Sequence, residues 1–190
     1  MIDKKDITGI ILSGGKSSRM GTDKGFLMYE RKRFVEYSME ALKPLVSNAV
    51  IVSDNEDYDA FGLKRIEDVI KNAGPLAGIY SGLKHASTVY GLVLSCDIPL
   101  INSKVLEKLI DAVDSDSEVI QIESQGKNMP LIALYKKSCE PIFLKLLNQG
   151  ERRLQFAVNQ CKVKHVLLTS EDELFTKNIN TPEQLKAIIK

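Results

Sequence analysis

Ile7-Thr-Gly-Ile-Ile-Leu-Ser13, continuing directly into Gly14-Gly-Lys-Ser-Ser-Arg-Met-Gly-Thr-Asp-Lys24-Gly25, is the stretch that decides the fold. Its first half is a short, β-branched apolar run of the kind found in sheets covered on both faces. The run ends in paired glycines, and the loop they open sets Lys16, Arg19 and Lys24 against one carboxylate, Asp23. Glycines let a backbone approach a ligand and turn its N–H groups inward. Cations in the same loop supply charge for a polyphosphate, and an Arg can fork onto two oxygens. A solvated strand-to-helix loop is the bland alternative; glycines and cations together favour anion binding.

Further strand-like runs lie at Ala49–Ser53, Gly91–Ser95, Glu118–Glu123, Leu131–Tyr135 and Lys164–Leu168, with a shorter one at Leu63–Glu67. Helical spacing separates several of them: Phe34, Tyr37, Ser38, Ala41, Leu42 and Leu45 in one segment, Val105, Leu106, Leu109, Ile110 and Val113 in another. Alternating strands and helices predict a mostly parallel sheet with helices on both faces. Ser124-Gln-Gly-Lys-Asn between two strand runs reads as a hairpin, so one antiparallel pairing is expected. Near the end, Thr181 suits an N-cap, Pro182 a first turn and Gln184 a capping box. No linker, repeat or low-complexity tract divides the chain. One three-layer α/β/α domain over residues 1–190, with a Rossmann-like sheet, is the expectation.

Bulk properties narrow the function. At 190 residues the chain can bury a core without staples, and 44% hydrophobic with 27% charged residues is ordinary for a globular domain. A net charge of +1 argues against bulk capture of nucleic acid or anionic membrane, so anion binding must be local. Met1-Ile-Asp-Lys-Lys-Asp6 lacks the apolar core and small-residue cleavage site of a signal peptide, and no apolar run approaches the ~18 residues of a membrane span. Cys96, Cys139 and Cys161 are odd in number and form no Cys-x-x-Cys pair, against disulfide staples and structural zinc. These features read as cytoplasmic.

Two familiar phosphate loops fail on spacing. A Walker loop needs Gly-Lys-Ser/Thr five residues after its first glycine, but Gly15 is followed by Gly21 and Thr22. A dinucleotide turn needs Gly-x-Gly-x-x-Gly, and neither position 16 nor 19 is glycine. Leu12 to Lys24 instead resembles the nucleotidyltransferase signature Leu-x-Gly-Gly-x-x-x-Arg-Met-Gly-x-x-Lys, and the chain is most similar to the molybdenum cofactor guanylyltransferases, nearly end to end.

Leu92-Val-Leu-Ser-Cys-Asp97-Ile-Pro99 brings Asp97 to the carboxyl end of a buried strand, where open α/β sheets place their ligands. One carboxylate beside a triphosphate suffices for magnesium, which keeps several waters and takes phosphate oxygens; a turn-forming Asp is the alternative. The resemblance implies that Asp97 holds Mg2+, and that Arg19 and Lys24 serve with it in catalysis. It assigns Leu12, Ser13, Gly14, Gly15, Lys24 and Asp97 to GTP. Asp68, in Ile66-Glu-Asp68, matches a nucleotide-contacting Asp, although a lone Asp also caps loops. Gly74-Pro75-Leu76-Ala77-Gly78 can present free N–H groups at a helix start or serve as a tight turn; the resemblance makes it the guanosine side.

Gly150-Glu-Arg152-Arg153 puts two cations at a helix start, against the dipole unless an anion is near. Asn178 and Asn180 alternate onto one face of an extended segment. By resemblance both pairs belong to the pterin side, with Asn180 either an auxiliary metal ligand or a pterin-side one; helix capping is the bland alternative, a job Thr181 already does. His85 and His165 have no partner spacing for a metal. One departure stands out: where relatives carry Asn after the second strand, this chain has Ser53-Asp54-Asn55, so Ser53, Asp54 or Asn55 takes that role.

The resemblance implies GMP transfer from GTP to molybdenum-molybdopterin, with pyrophosphate released and transient contact with molybdoenzymes. A cytidylyltransferase is the rival within the class, and a non-catalytic nucleotide-binding adaptor is the rival outside it. Loss of Lys24 or Asp97 would mark the adaptor, and both are present.

Overall fold

Ile7, Ile10 and Ile11 are fully buried because their strand lies near the middle of a seven-stranded sheet. The computed structural model describes residues 2–14 and 23–188. In chain order the strands are β1 (Ile7–Leu12), a small hairpin of β2 (Met28–Tyr29) and β3 (Lys32–Arg33), β4 (Asn48–Val52), β5 (Lys64–Ile66), β6 (Tyr90–Ser95), β7 (Val119–Ser124), β8 (Lys127–Lys136) and β9 (Val163–Leu167). The large sheet runs β5-β4-β1-β6-β8-β7-β9. All neighbours are parallel except β8, which is antiparallel to both β6 and β7.

Helices cover both faces. On one, α1 (Phe34–Leu42) and α3 (Ser103–Asp111) close a core of Ile7, Ile11, Leu42, Leu92, Leu94 and Leu106. On the other, α2 (Gly74–His85), α4 (Cys139–Asn148) and α5 (Leu154–Val158) close one around Ile10, Val93, Leu76, Tyr135 and Phe143. Alternate residues of β1 and β6 thus feed opposite cores, which is why these strands read as unbroken apolar runs. Local signals start the helices: Asn102 Oδ1 accepts from Val105 N–H at 3.1 Å, and the Glu36 carboxylate accepts from Arg33 N–H at 2.6 Å. The last helix, α6 (Pro182–Ile188), opens with the expected box: Gln184 N–H donates to Thr181 Oγ1, and Gln184 Oε1 accepts from Thr181 N–H.

The expected three-layer, mostly parallel architecture is borne out, as is the hairpin, whose two-residue turn has Gln125 and Gly126 at φ 52° and 69°; the one antiparallel pairing expected is joined by a second in the large sheet, because β8 also lies against β6. β8 is longer than its apolar run. Pro130 has no N–H to give the ladder, and pairing with β7 jumps there, from Gln121 opposite Ala133 to Ile122 opposite Met129. The irregularity brings Leu131 to the edge of a cleft.

Chain order then fixes where a ligand goes. From β1 the chain builds outward through β4 and β5, then returns by α2 to lay β6 on the other side of β1. The carboxyl ends of β1 and β6 therefore flank a topological switch point, the usual crevice of an open α/β sheet.

Candidate active site

At that crevice the strands end level: Ser13 N–H donates to Val52 O, Ser53 N–H to Ile66 O and Cys96 N–H to Leu12 O. Above them lies a cleft of about 670 Å³ whose lining includes Ser13, Gly14, Ser53, Asp68, Gly74 and Pro75. Gly78 packs close against the end of β1: a Cβ there would come within 3.1 Å of Leu12 Cδ2, which would have to give way. The first turn of α2 is thereby held down onto the floor of the cleft. Ala73 supplies no side-chain cap, so the N–H groups of that turn remain available at the rim.

Asp68 is the charged group of this wall. Its Oδ1 is buried with no hydrogen-bond partner, and burial, aided by the nearby Asp54 carboxylate, pushes its carboxyl up to about 6. A ligand presenting N–H donors would satisfy that oxygen and draw the group back to its ionised form. Asp54 is engaged by Lys71 Nζ at 2.6 Å and Asn55 Oδ1 by Asp57 N–H at 3.0 Å. Ser53, Asp54 and Asn55 all line the cleft, with Ser53 Oγ accepting from Asn55 N–H.

A second constellation stands at the end of β6. Lys24 Nζ donates to Asp97 Oδ2 at 3.1 Å and also to Asn180 Oδ1. The other Asp97 oxygen, Oδ1, accepts from Ser95 Oγ at 2.7 Å. Both charged side chains are mostly shielded, Lys24 at 22% and Asp97 at 13% exposure. Asn180 arrives from 83 residues further along because Ile179 N–H donates to Asp97 O at 2.8 Å, pinning the segment before α6 to the end of β6. Asp97 Oδ2 and Asn180 Oδ1 thus converge on one cation, the Lys24 ammonium, and two hard oxygens so placed suit a divalent ion equally. Among the described residues no group of three or more His, Cys, Asp or Glu could hold a metal, so such an ion would complete its shell with phosphate and water. Cys96, next to Asp97, is no nucleophile: burial pushes its thiol up to about 12.

The remaining residues singled out in the sequence divide. Gly15, Lys16 and Arg19 lie outside the described residues. Leu76 and Ala77 have side chains fully buried in the core beneath α2, away from the cleft. Asn178 Oδ1 is buried without a partner, two residues before Asn180. Arg152 and Arg153 follow the C-terminus of α4, which rises antiparallel to α2 toward the carboxyl edge, but they line no part of the nucleotide cleft. Arg153 forks onto the Glu151 carboxylate at 2.6 and 2.9 Å and stacks on Phe156, beside a separate groove of about 790 Å³. The Glu151 carboxylate therefore offsets Arg153, while Arg152 Nη1 donates to the Leu147 and Glu151 carbonyls at 3.0 and 2.8 Å.

Sequence reasoning passed over Ser95, Asn72 and Leu131. Ser95 leaves the strand two positions before Asp97, on the same side, and that i, i+2 spacing was its one signal. Asn72 reaches the cleft through a left-handed backbone (φ 57°), and Leu131 through the irregularity at Pro130. Neither carries a chemical motif.

No helix among the described residues is long and apolar enough to cross a membrane. Comparison with known proteins agrees with the geometry. A probable molybdenum cofactor guanylyltransferase of Flavobacterium johnsoniae is 34% identical over 181 residues, covering 94% of each chain. A molybdenum cofactor guanylyltransferase of Vibrio vulnificus is 32% identical over 179 residues, covering 93% of this chain and 91% of that one. Among solved structures, the molybdopterin-guanine dinucleotide biosynthesis protein A of Archaeoglobus fulgidus shares the fold with a TM-score of 0.81, at 24% identity over 95% of both chains. The pattern of the MobA-like NTP transferase domain matches residues 9–165. On the fold, the cleft at its switch point and this match together, the chain belongs to the family of MobA-like NTP transferase domains.

Proposed function

We propose that the protein transfers GMP from GTP to the terminal phosphate of molybdenum-molybdopterin, forming the guanine dinucleotide cofactor and releasing pyrophosphate. The observation that carries the reading is the meeting of Lys24, Asp97 and Asn180 beside a cleft walled by Ser53, Asp68 and Gly78. The names of the relatives at 34% and 32% identity supply the substrates. The whole chain acts as one domain: its N-terminal part takes the nucleotide, and its C-terminal part, with Asn178, Asn180, Arg152 and Arg153, takes the pterin side. The reaction belongs in the cytoplasm, with transient contact with molybdoenzymes.

A phosphate monoester is already an anion near neutral pH, so the attacking oxygen needs no general base. The protein's task is positioning and neutralisation. Lys24 and Arg19, with the N–H groups of Gly14 and Gly15, grip the triphosphate. Leu12, Ser13 and Ser53 floor the nucleoside, and Gly74-Pro75-Leu76-Ala77-Gly78 presents its backbone to it. Asp68 accepts from the N–H edge of the base, which an ionised carboxylate does better for guanine than for cytosine. Nucleotidyltransferases usually need a divalent metal; here Asp97, with Asn180 beside it, would hold Mg2+. When bound, that ion supplies positive charge at the α-phosphate. Ser95 keeps the Asp97 carboxylate turned toward the cleft.

The test is purified protein with molybdenum-molybdopterin and either GTP or CTP, read as dinucleotide formed. Guanine dinucleotide with GTP and little product with CTP is the expected result. Preference for CTP would move the protein to the cytidylyltransferases, and no turnover with either would leave nucleotide binding alone.

A further inference from the structure

Tyr58 is fully buried although it sits in a short, acidic 3-10 turn (Glu56–Phe61), its ring belonging to the core that holds Ile7, Ile11 and Cys96. Its hydroxyl donates to Asp23 Oδ1 at 2.6 Å, and the same oxygen accepts from Gly25 N–H at 3.1 Å. Asp23 thereby caps a single 3-10 turn, Lys24–Phe26, whose first residue is the lysine that reaches Asp97. The ring presses on that turn so closely that a Cβ on Gly25 would fall 2.0 Å from the Tyr58 oxygen. Phe26 and Phe61 hold the ring from the sides, with centroids 4.5 and 5.9 Å away. Burial keeps the phenol protonated, so it is a permanent donor.

From this geometry we infer that Tyr58 is a positioning residue: through Asp23 it fixes the turn that aims Lys24 at Asp97 beside the cleft. A single 3-10 turn has little stability of its own. Asp23 also lines the cleft, where an uncompensated carboxylate would repel a polyphosphate; two donors on one oxygen offset that charge. The turn carrying Tyr58 begins at Asn55, directly after Ser53-Asp54, so one aromatic strut joins the nucleoside wall to the lysine loop.

The inference rests on Lys24 gripping the triphosphate, and the experiment separates the two. Inorganic triphosphate binding, measured by calorimetry, should weaken on Lys24→Ala; no change there would overturn the reading of Lys24 itself. Tyr58→Phe keeps the ring and removes only the hydroxyl. It should weaken triphosphate binding, and lower kcat with GTP, by about tenfold while melting within a few degrees of wild type. In an Asp23→Ala background the same change should cost nothing further, because its intermediary is gone. Unchanged binding in Tyr58→Phe, or equal losses in both backgrounds, would overturn the inference while leaving Lys24 in place.

Discussion

Replacing Asp97 by Asn separates chemistry from scaffolding at the end of β6. The amide has the shape of the carboxylate and can still accept from Ser95, but the charge opposite Lys24 is lost. With Asp97 at 13% and Lys24 at 22% exposure, the 3.1 Å pair is shielded enough to matter. Lys24 keeps Asn180 Oδ1 and some solvent, so the fold should lose only about 1 kcal/mol, a fall of roughly 2–4 °C in Tm. The transition state should suffer far more. The ion proposed there would lose its only charged protein ligand and keep only the neutral Asn180 oxygen, and removal of one such electrostatic partner costs on the order of 10²–10³ in kcat. GTP affinity should change little, since the ion can stay on the outer phosphates. The assay is pyrophosphate release with GTP and molybdenum-molybdopterin, set beside calorimetric GTP binding and a melting curve on the same preparation. Turnover within threefold of wild type, or a large loss of Tm with turnover per folded molecule intact, would refute the assignment.

Lys24→Ala should cost about 2–4 kcal/mol in the transition state and, because it breaks the same shielded pair, lower Tm by a few degrees as Asp97→Asn does, checked by kcat/KM and a melting curve. Gly78→Val should weaken GTP binding roughly tenfold or more by crowding Leu12, with a smaller effect on bare pyrophosphate; equal losses would point to a disturbed fold. Asp68 has a carboxyl raised to about 6 from 3.8, so the folded chain binds more protons than the unfolded one across that window, and its contribution to stability declines as pH rises through about 6. Asp68→Asn should therefore flatten Tm against pH between about 4 and 6 and raise Tm at pH 7.5. GTP affinity of the wild type should fall as pH drops below about 6, where Asp68 is neutral, and this loss should vanish in the variant.

How much of this was legible in the sequence depended on range. Strands and helices announce themselves through spacing, and β1 and β6 were plain because each feeds both cores. The Gly14 and Asp97 loops could be placed at one edge because both follow buried strands of a parallel sheet. Asn180 was visible only as a motif, because its partner Lys24 lies 156 residues away and nothing local encodes that meeting. Tyr58 left no trace: a tyrosine in an acidic turn, Glu56-Asp-Tyr-Asp59, reads as solvated surface until Phe26 and Phe61 are seen to enclose it. For the Arg152 and Arg153 pair the sequence posed the right question; the Glu151 carboxylate answers it for Arg153 and backbone carbonyls at the end of α4 answer it for Arg152.

The hydrogen bond from Ile179 N–H to the Asp97 carbonyl gives the protein a built-in clock. Ile179 is 2% exposed, so its amide proton can exchange with solvent only when the segment carrying Asn180 lifts away from β6. The exchange rate of that single proton reports how often the site comes apart, without any substrate and in any variant that folds. Slowing on addition of nucleotide would measure, in free energy, how strongly the two ends of the chain are drawn together over the phosphates.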